Sequence, residues 1–356
     1  WEIRENDEDI EIAQGLLKKA IELDNNLLEA KTQLGFTYYN INNDKAIEIF
    51  NSILNYVQKI DNKIEIALAL NNIGQVYWVK GDNEQALDYY LRSLKISEMN
   101  GNKIMIGNSF NRIGLVYLVK QDYSNSLEYF NRSLIIQEEI GDRKGMAFTF
   151  YNLAFLYGSS MKNNDKVLEY FSRALKIYEE LDDKNMMSDC LDKLGRTNII
   201  IGEYDKALEY YERSLSIREE LDAKTRLKTS LIGIGAIYYY KGYYEKAEDI
   251  LEKSNFITFD EVYDRIWNKI YLYLTYKNIG KKYNEKEIYS LINDNNISGD
   301  YLLNYHLYQL LEDTSYLETA YSQIQEKTEI LEPDVKAKFL SYPIPKAIVE
   351  EWEKVK

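Results

Sequence analysis

Histidine and cysteine, the residues that most often carry nucleophilic or metal chemistry, are scarce in this sequence. His306 is the only histidine and Cys190 the only cysteine among 356 residues. A lone histidine argues against a His-rich metal site and against a histidine-activated nucleophile. A lone cysteine cannot form an intramolecular disulfide and fits a reducing compartment. We interpret Cys190 as a buried small apolar residue and His306 as a structural member of a tyrosine-rich helix.

Carboxylates are the remaining candidates for acid–base chemistry. The pairs Glu138-Glu139, Glu179-Glu180 and Glu219-Glu220 recur at intervals of about 40 residues, at the same place in successive segments. This recurrence favours a solvated helix face over a catalytic pair. The glycines are dispersed and form no phosphate-cradling loop. No set of nucleophile, base and stabilising group can be assembled, so we predict that the chain is not an enzyme and needs no cofactor or metal.

The dominant pattern in the sequence is a repeat, and its fold must position all the remaining residues. A large aliphatic residue followed by a small one recurs every 39 to 41 residues, at Leu34-Gly35, Ile73-Gly74, Ile113-Gly114, Leu153-Ala154, Leu194-Gly195 and Ile234-Gly235. One interval is 41 residues long, and its extra residue falls in the turn around Met161. Short polar segments link successive repeats, and Asp222-Ala223 is one of them. An aromatic residue usually follows the small residue by three, and a second small residue and a ring follow after a turn. Spacings of three and four predict two amphipathic helices per repeat.

This pattern resembles the tetratricopeptide repeat (TPR) motif over residues 9–254. Its 40-residue period is similar to the long-helix subclass found in kinesin light chains and in spindle-orientation adaptors with Leu-Gly-Asn repeats. The resemblance implies an all-α fold: a right-handed α-solenoid, or superhelix, of antiparallel helix pairs, with about six TPR repeats and a C-terminal helical cap. We expect residues 1–26 to hold the second helix of a truncated preceding repeat, 27–260 the array, and 261–356 the cap. Because the chain starts at Trp1 in mid-repeat, we expect it to be a piece of a longer protein.

The cap departs from the repeat pattern. Apolar spacing predicts helices at about 261–279, 285–293, 300–312 and 314–331. The stretch 339–345, which contains two prolines, predicts a turn that leads into a last covering helix through Trp352. This tail is loosely similar to the tails of TPR regions attached to bacterial nucleotide cyclases and protein kinases.

The resemblance also implies a binding surface, because the first helices of TPR repeats line a concave groove. The family's groove positions correspond here to Leu68, Asn71, Gln75, Trp78, Asn108, Asn111, Leu115, Phe148, Tyr151, Phe155, Asp189, Asp192 and Arg196. Rings supply contact area and amides bond a peptide backbone, so this set is typical of peptide recognition. The alternative is that Trp78, Phe148 and Phe155 pack between neighbouring repeats. The Lys/Asn clamp of chaperone-binding TPRs has no lysine here, which argues against a C-terminal carboxylate ligand of that type.

Charge and hydropathy narrow the class of partner. The net charge of −14 repels phosphate backbones, so we expect no nucleic-acid partner. No apolar run reaches the ~18 residues of a membrane span, so we expect no membrane partner and a cytoplasmic location. We predict a protein-protein interaction module that binds a peptide or partner protein, or another segment of the same longer chain. The alternative is a regulatory or sensor region of a signalling enzyme (cyclase, kinase or protease) whose catalytic part lies upstream of Trp1. The sequence leaves the oligomeric state open.

Overall fold

The computed structural model describes residues 7–24, 27–39, 41–160, 163–221, 224–257, 262–294 and 299–356. All regular structure in these ranges is α-helical, and the all-α repeat fold predicted from the sequence is confirmed. The helices are Asp7–Leu23 (α1), Leu28–Thr37 (α2), Asn43–Lys59 (α3), Lys63–Val79 (α4), Asn83–Met99 (α5), Lys103–Val119 (α6), Tyr123–Ile140 (α7), Arg143–Ser160 (α8), Asn164–Glu180 (α9), Lys184–Ile201 (α10), Tyr204–Glu220 (α11), Lys224–Tyr240 (α12), Tyr244–Asn255 (α13), Val262–Ile279 (α14), Glu285–Asp294 (α15), Tyr301–Leu311 (α16), Thr314–Glu329 (α17), Pro333–Ser341 (α18) and Pro343–Val355 (α19). Trp1, Met161, Asp222, Ala223 and the sequence-based boundaries at 26 and 260–261 lie outside the described residues.

Several turns between helices consist of a glycine followed by an acidic or amide residue. Gly81 has φ 79°, in the left-handed region that glycine enters without steric cost. The next residue, Asp82, caps α5 by accepting a hydrogen bond from the backbone N–H of Gln85 at 3.1 Å. Asn102 caps the next helix, α6, in the same way, by accepting a hydrogen bond from the backbone N–H of Met105. Both helices therefore begin after a residue whose side chain satisfies one of their unpaired N–H groups.

The glycine anchors of four repeats, Gly35, Gly74, Gly114 and Gly195, each pack against an aromatic ring, whereas Gly235 in the last repeat packs against Leu251. A Cβ added at Gly114 would lie 2.8 Å from the Phe130 ring, and one at Gly74 would lie 2.8 Å from Tyr90. Such distances are closer than carbon atoms pack without a shift, so a side chain at these positions would displace the ring. The anchor glycine and the ring sixteen residues later are therefore one packing unit.

Buried serines tie the two helices of a repeat together. The Ser93 hydroxyl donates to the Ala67 carbonyl at 2.7 Å, and the Ser133 hydroxyl donates to the Gly107 carbonyl at 2.8 Å. Ser214 repeats this bond, again across 26 residues. Each serine is fully buried, so its hydroxyl needs this partner.

The chain divides into two compact units, Trp1–Asn152 (unit 1) and Leu153–Lys356 (unit 2). In unit 2 the cap helices share one apolar core with the last repeats, through buried residues such as Ile237, Leu274, Leu307 and Ile348. The predicted cap helices are present, but the interpretation of 339–345 as a turn was wrong. Its first three residues end α18, and α19 begins directly at Pro343. Proline fits there because the first residue of a helix needs no N–H donor.

Candidate functional site

A groove of about 730 Å³ lies in unit 1. It is walled by the first helices of successive repeats, α2, α4, α6 and α8, with one residue from α1 and two from the turn after α2. Its lining is Ile10, Gln33, Phe36, Thr37, Tyr39, Ile41, Leu68, Asn71, Asn72, Gln75, Asn108, Asn111, Arg112 and Phe148. The repeat therefore brings equivalent faces of several helices to one surface.

Six of the sequence-predicted residues meet in this groove: Leu68, Asn71, Gln75, Asn108, Asn111 and Phe148. Trp78, Leu115 and Tyr151 are half-buried and are not among the lining residues. The Trp78 ring packs against a core that includes Ala86 and Phe110, which matches the packing alternative. A ring in that position stabilises the stack of repeats.

Asn71 is the unusual residue of the groove. Its side chain is only 7% exposed, yet its Nδ2 has no hydrogen-bond partner within the described residues. A buried amide left unpaired costs about 1–3 kcal/mol, and native proteins contain few of them. Asn72 and Gln75 line the same wall on α4, and Asn108 is exposed on α6. The groove thus offers amides that the fold itself leaves partly unused.

Asn111, one repeat after Asn71, is satisfied inside the protein. Its Nδ2 donates to Thr149 Oγ1 at 2.7 Å, and its Oδ1 accepts from Asn152 Nδ2 at 2.8 Å. Thr149 Oγ1 in turn donates to Gln137 Oε1 at 2.7 Å. We call Gln137, Thr149 and Asn111 the amide network. Its role is to hold α6, α7 and α8 in register, so Asn111 shapes the groove more than it is free to bond a ligand.

Asp192 belongs to a buried cluster in unit 2. The Arg218 Nη2 lies 2.5 Å from Asp192 Oδ2, and the Ser230 hydroxyl donates to Asp192 Oδ1 at 3.1 Å. Burial raises the pKa of the Asp192 carboxyl, while the Arg218 guanidinium favours its charged form. We call Arg218, Ser230 and Asp192 the ion-pair network. Asp189, predicted for the groove, accepts hydrogen bonds from Arg226 at 3.0 and 3.1 Å. Both carboxylates are thus engaged by arginines of this unit.

Phe155 and Arg196 also lie in unit 2 and remain partly open to solvent. The Phe155 ring meets Phe171 edge-on at 5.6 Å between centroids, and Lys193 Nζ lies 5.4 Å from its centroid. Arg196 is exposed, and its guanidinium forms no ion pair within the described part of the chain. It lies at the mouth of a small apolar pocket.

Sequence reasoning missed several residues of these sites. Arg112 lines the groove of unit 1, with its guanidinium 5.9 Å from the Phe148 ring centroid. It stands two residues before the anchor, where Asn72 stands one repeat earlier, so the repeat register could have identified it. Arg218 gave no such signal, because it falls beside the exposed Glu219-Glu220 pair.

The described residues contain no group of three or more His, Cys, Asp or Glu side chains placed to hold a metal ion. None of the helices in the described ranges has the length and apolar character needed to cross a membrane. Cys190 is fully buried, as predicted, and His306 is fully buried as well.

Solved structures with similar folds share little sequence with this chain. The apo form of RapI is 17% identical, with 83% of this chain and 98% of that chain covered at a TM-score of 0.56. NprR in complex with its cognate peptide NprX is 16% identical, with 92% and 93% covered at 0.55. A signal-transduction ATPase (STAND) with a TPR sensor, PH0952 from Pyrococcus horikoshii, is 15% identical, with 99% and 56% covered at 0.56. At these identities the likeness shows the fold. A search of the curated proteins finds no match.

The family is shown by the sequence itself. A model of the tetratricopeptide repeat matches residues 27–99, 105–180 and 187–254. These three segments together span more than half of the chain. They end where the apolar repeat pattern fades, before α14 begins. The chain therefore belongs to the tetratricopeptide repeat family.

Proposed function

We propose that this protein binds an extended peptide segment of a partner protein in the groove of unit 1. The observation that carries the proposal is the Asn71 amide, buried in the groove wall with an unpaired Nδ2. A peptide carbonyl in the groove would accept its hydrogen bond and remove the cost of leaving it unmade.

The lining favours an extended ligand over a helical one. An extended backbone leaves its N–H and C=O groups free, whereas a helix satisfies them internally. The groove offers amides that both donate and accept at Asn71, Asn72, Gln75 and Asn108. Amides of this kind suit a free backbone, so they support strand-like recognition.

Charge and aromatic content further limit the peptide. Among the groove residues Arg112 is the only one with a formal charge, although the whole chain is strongly acidic. Phe36 on α2 and Phe148 on α8 supply apolar contact area. We therefore expect a peptide that is mostly apolar or neutral, with at most one acidic side chain to pair with Arg112. The solved NprR structure, which holds its cognate peptide, supports peptide binding by this kind of fold.

The proposal is tested with an array of synthetic heptapeptides and the variants Asn71→Ala and Asn131→Ala. Asn131 is an exposed amide on α7 and serves as the matched control. Asn71→Ala should weaken binding by up to about tenfold, the worth of one hydrogen bond, and should leave the melting temperature unchanged or raised. Equal binding by both variants would place the site elsewhere.

A second candidate function is a sensor region of a larger signalling enzyme. It is favoured by the STAND protein with a TPR sensor, because the structural match covers 99% of this chain but only 56% of that longer chain. The two roles are compatible, since a sensor also binds a ligand. Reading the coding sequence upstream of Trp1 separates them, because a reading frame with repeats alone would contradict the sensor role. The six-repeat array at 27–260, the cap at 261–356 and a cytoplasmic location remain parts of the proposal.

A further inference from the structure

Unit 2 contains a small pocket that is separate from the groove of unit 1. Its volume is about 110 Å³, and its walls are buried rings and aliphatic side chains, among them Tyr211, Ile232, Trp267, Tyr271 and Leu302. This is smaller than the roughly 150 Å³ cavity that accepts benzene in an engineered protein core. It suits one aliphatic side chain of about four carbons.

Ring stacking and hydrogen bonds hold the side chains of the pocket walls in place. The Trp267 and Tyr271 rings stack at 5.6 Å between centroids. The Tyr271 hydroxyl lies 3.3 Å from that of Tyr240, and the Tyr240 hydroxyl lies 2.6 Å from His306 Nε2. Gly233, also in the lining, leaves room for the Tyr211 ring, since a Cβ there would collide with it. The cavity is therefore built into the packing and is not a gap between loose side chains.

Two opposite charges stand at the rim of the pocket. Arg196 is exposed, and Asp264 is half-buried and accepts a hydrogen bond from the Thr229 hydroxyl at 2.7 Å. Both line the pocket, yet neither forms an ion pair with the other or with any further residue in the described ranges. The Asp300 carboxylate favours the charged form of Arg196 without forming an ion pair with it. The cavity is therefore lined by one cation and one anion that lack a direct charged partner among the described residues.

We propose that this pocket binds a free α-amino acid with an apolar side chain. The side chain enters the aromatic cavity, the carboxylate pairs with Arg196, and the ammonium pairs with Asp264. An α-amino acid carries these three groups on one carbon, which matches an apolar cavity flanked by a cation and an anion. Arginine binds carboxylates through two parallel hydrogen bonds, so the first pair also fixes orientation.

The last residue of a peptide is the competing ligand. It would offer the same side chain and carboxylate, but a neutral amide N–H in place of the ammonium. The unpaired Asp264 carboxylate favours a full positive charge, because an ion pair in this half-buried site is stronger than a hydrogen bond to a neutral donor. The free amino acid therefore fits both rim charges, and the peptide terminus fits one.

The test is calorimetric titration of the intact chain with L-leucine, N-acetyl-L-leucine and L-leucinamide. The proposal expects L-leucine to bind at least about tenfold more tightly than either blocked form, each of which loses one ion pair. Arg196→Gln should weaken L-leucine at least tenfold and leave L-leucinamide unchanged. Asp264→Asn should weaken L-leucine and leave N-acetyl-L-leucine unchanged.

The matched control is Arg213→Gln, which removes an exposed arginine of α11 outside the pocket and should not alter L-leucine affinity. Melting curves check folding, and Arg196→Gln should melt with the wild type because Arg196 makes no intrachain ion pair. Equal affinity for L-leucine and N-acetyl-L-leucine would overturn the proposal in favour of a peptide terminus. Absence of heat with L-leucine at two well-separated temperatures would overturn it outright, because apolar burial changes the heat capacity even where its enthalpy is near zero. Neither result bears on the Asn71 test, which probes the other unit.

Discussion

Two networks occupy equivalent repeat positions, one in each compact unit: Gln137, Thr149 and Asn111 in unit 1, and Arg218, Ser230 and Asp192 in unit 2. The residue separations are identical, at 12 and 38 in both. Hydrogen bonds of 2.7 Å link the amide network, and bonds of 3.2 and 3.1 Å together with an ion pair link the other. The repeat backbone thus fixes one geometry that either neutral or charged side chains can fill.

The difference lies in what happens when a member is lost. A neutral amide network loses hydrogen bonds worth about 1 kcal/mol each. A buried ion pair loses the compensation for a desolvated charge, which is several times larger. Unit 2 should therefore be the part of the molecule in which point substitutions and pH have the larger effects.

The largest expected effect follows removal of the buried guanidinium. Arg218→Met leaves the Asp192 carboxylate buried at 5% exposure without its partner. We expect a loss of about 3–5 kcal/mol in the free energy of unfolding, measured by urea denaturation. The double variant Arg218→Gln/Asp192→Asn, which copies the neutral network, should recover most of that loss. If Arg218→Met costs no more than a surface substitution, the contrast between the units is wrong.

The next effect is the pH dependence contributed by His306. Burial lowers the pKa of this imidazole to about 4 from an ordinary value of 6.5. The unfolded chain therefore binds a proton first, so this contribution is complete above pH 6.5 and is lost as the pH falls toward 4. The shift corresponds to about 3 kcal/mol. Urea denaturation at pH 7 and pH 5 should show a decrease that His306→Gln reduces. A variant with the wild-type pH slope would contradict this assignment.

A smaller effect is expected in the amide network. Gln137→Met removes the acceptor of the Thr149 hydroxyl, which is fully buried. We expect a loss of about 1–3 kcal/mol, because a buried hydroxyl is left to find another acceptor. The loss should be the same at pH 5 and pH 7, since no member of the network ionises in that range. Denaturation at both values measures this, and a loss that matches that of Arg218→Met would remove the distinction between the networks.

The smallest effect concerns the surface pairs that link neighbouring repeats. Lys120 pairs with Glu84, and Lys241 pairs with Asp205, each across 36 residues. Exposed pairs of this kind contribute about 0–1 kcal/mol. Lys120→Met and Lys241→Met should each shift stability by less than that, and the shift should vanish in 1 M salt. A larger, salt-resistant loss for Lys241→Met alone would extend the sensitivity of unit 2 to its surface.

The helices and much of the groove could be predicted because both follow from periodicity. The anchor residues, such as Gly74 and Gly114, recur at a fixed distance from the rings that they receive. Once the register is known, the residues that face outward from each first helix follow by counting, which is how Asn71 and Asn108 were found. The same counting placed Trp78 at the groove, whereas the ring packs into the adjoining core.

The remainder depends on contacts that counting along one helix does not give. Arg218 lies on a second helix beside exposed glutamates, and only its packing against α10 and α12 buries it. The pocket of unit 2 combines residues of repeats and cap, such as Arg196 and Leu302, which lie over 100 residues apart. Contacts between residues so far apart in sequence are determined by tertiary packing, so no local sequence pattern predicts them.

Cys190 gives the protein a built-in reporter of how often unit 2 opens. It is fully buried on α10, and burial raises the pKa of its thiol, so thiol reagents cannot reach it in the closed state. Because it is the only cysteine, the rate of labelling counts openings at one place in the chain. Asp192 lies two residues further along the same helix, so the rate of Cys190 labelling also measures how often the buried Asp192 carboxylate becomes exposed to solvent.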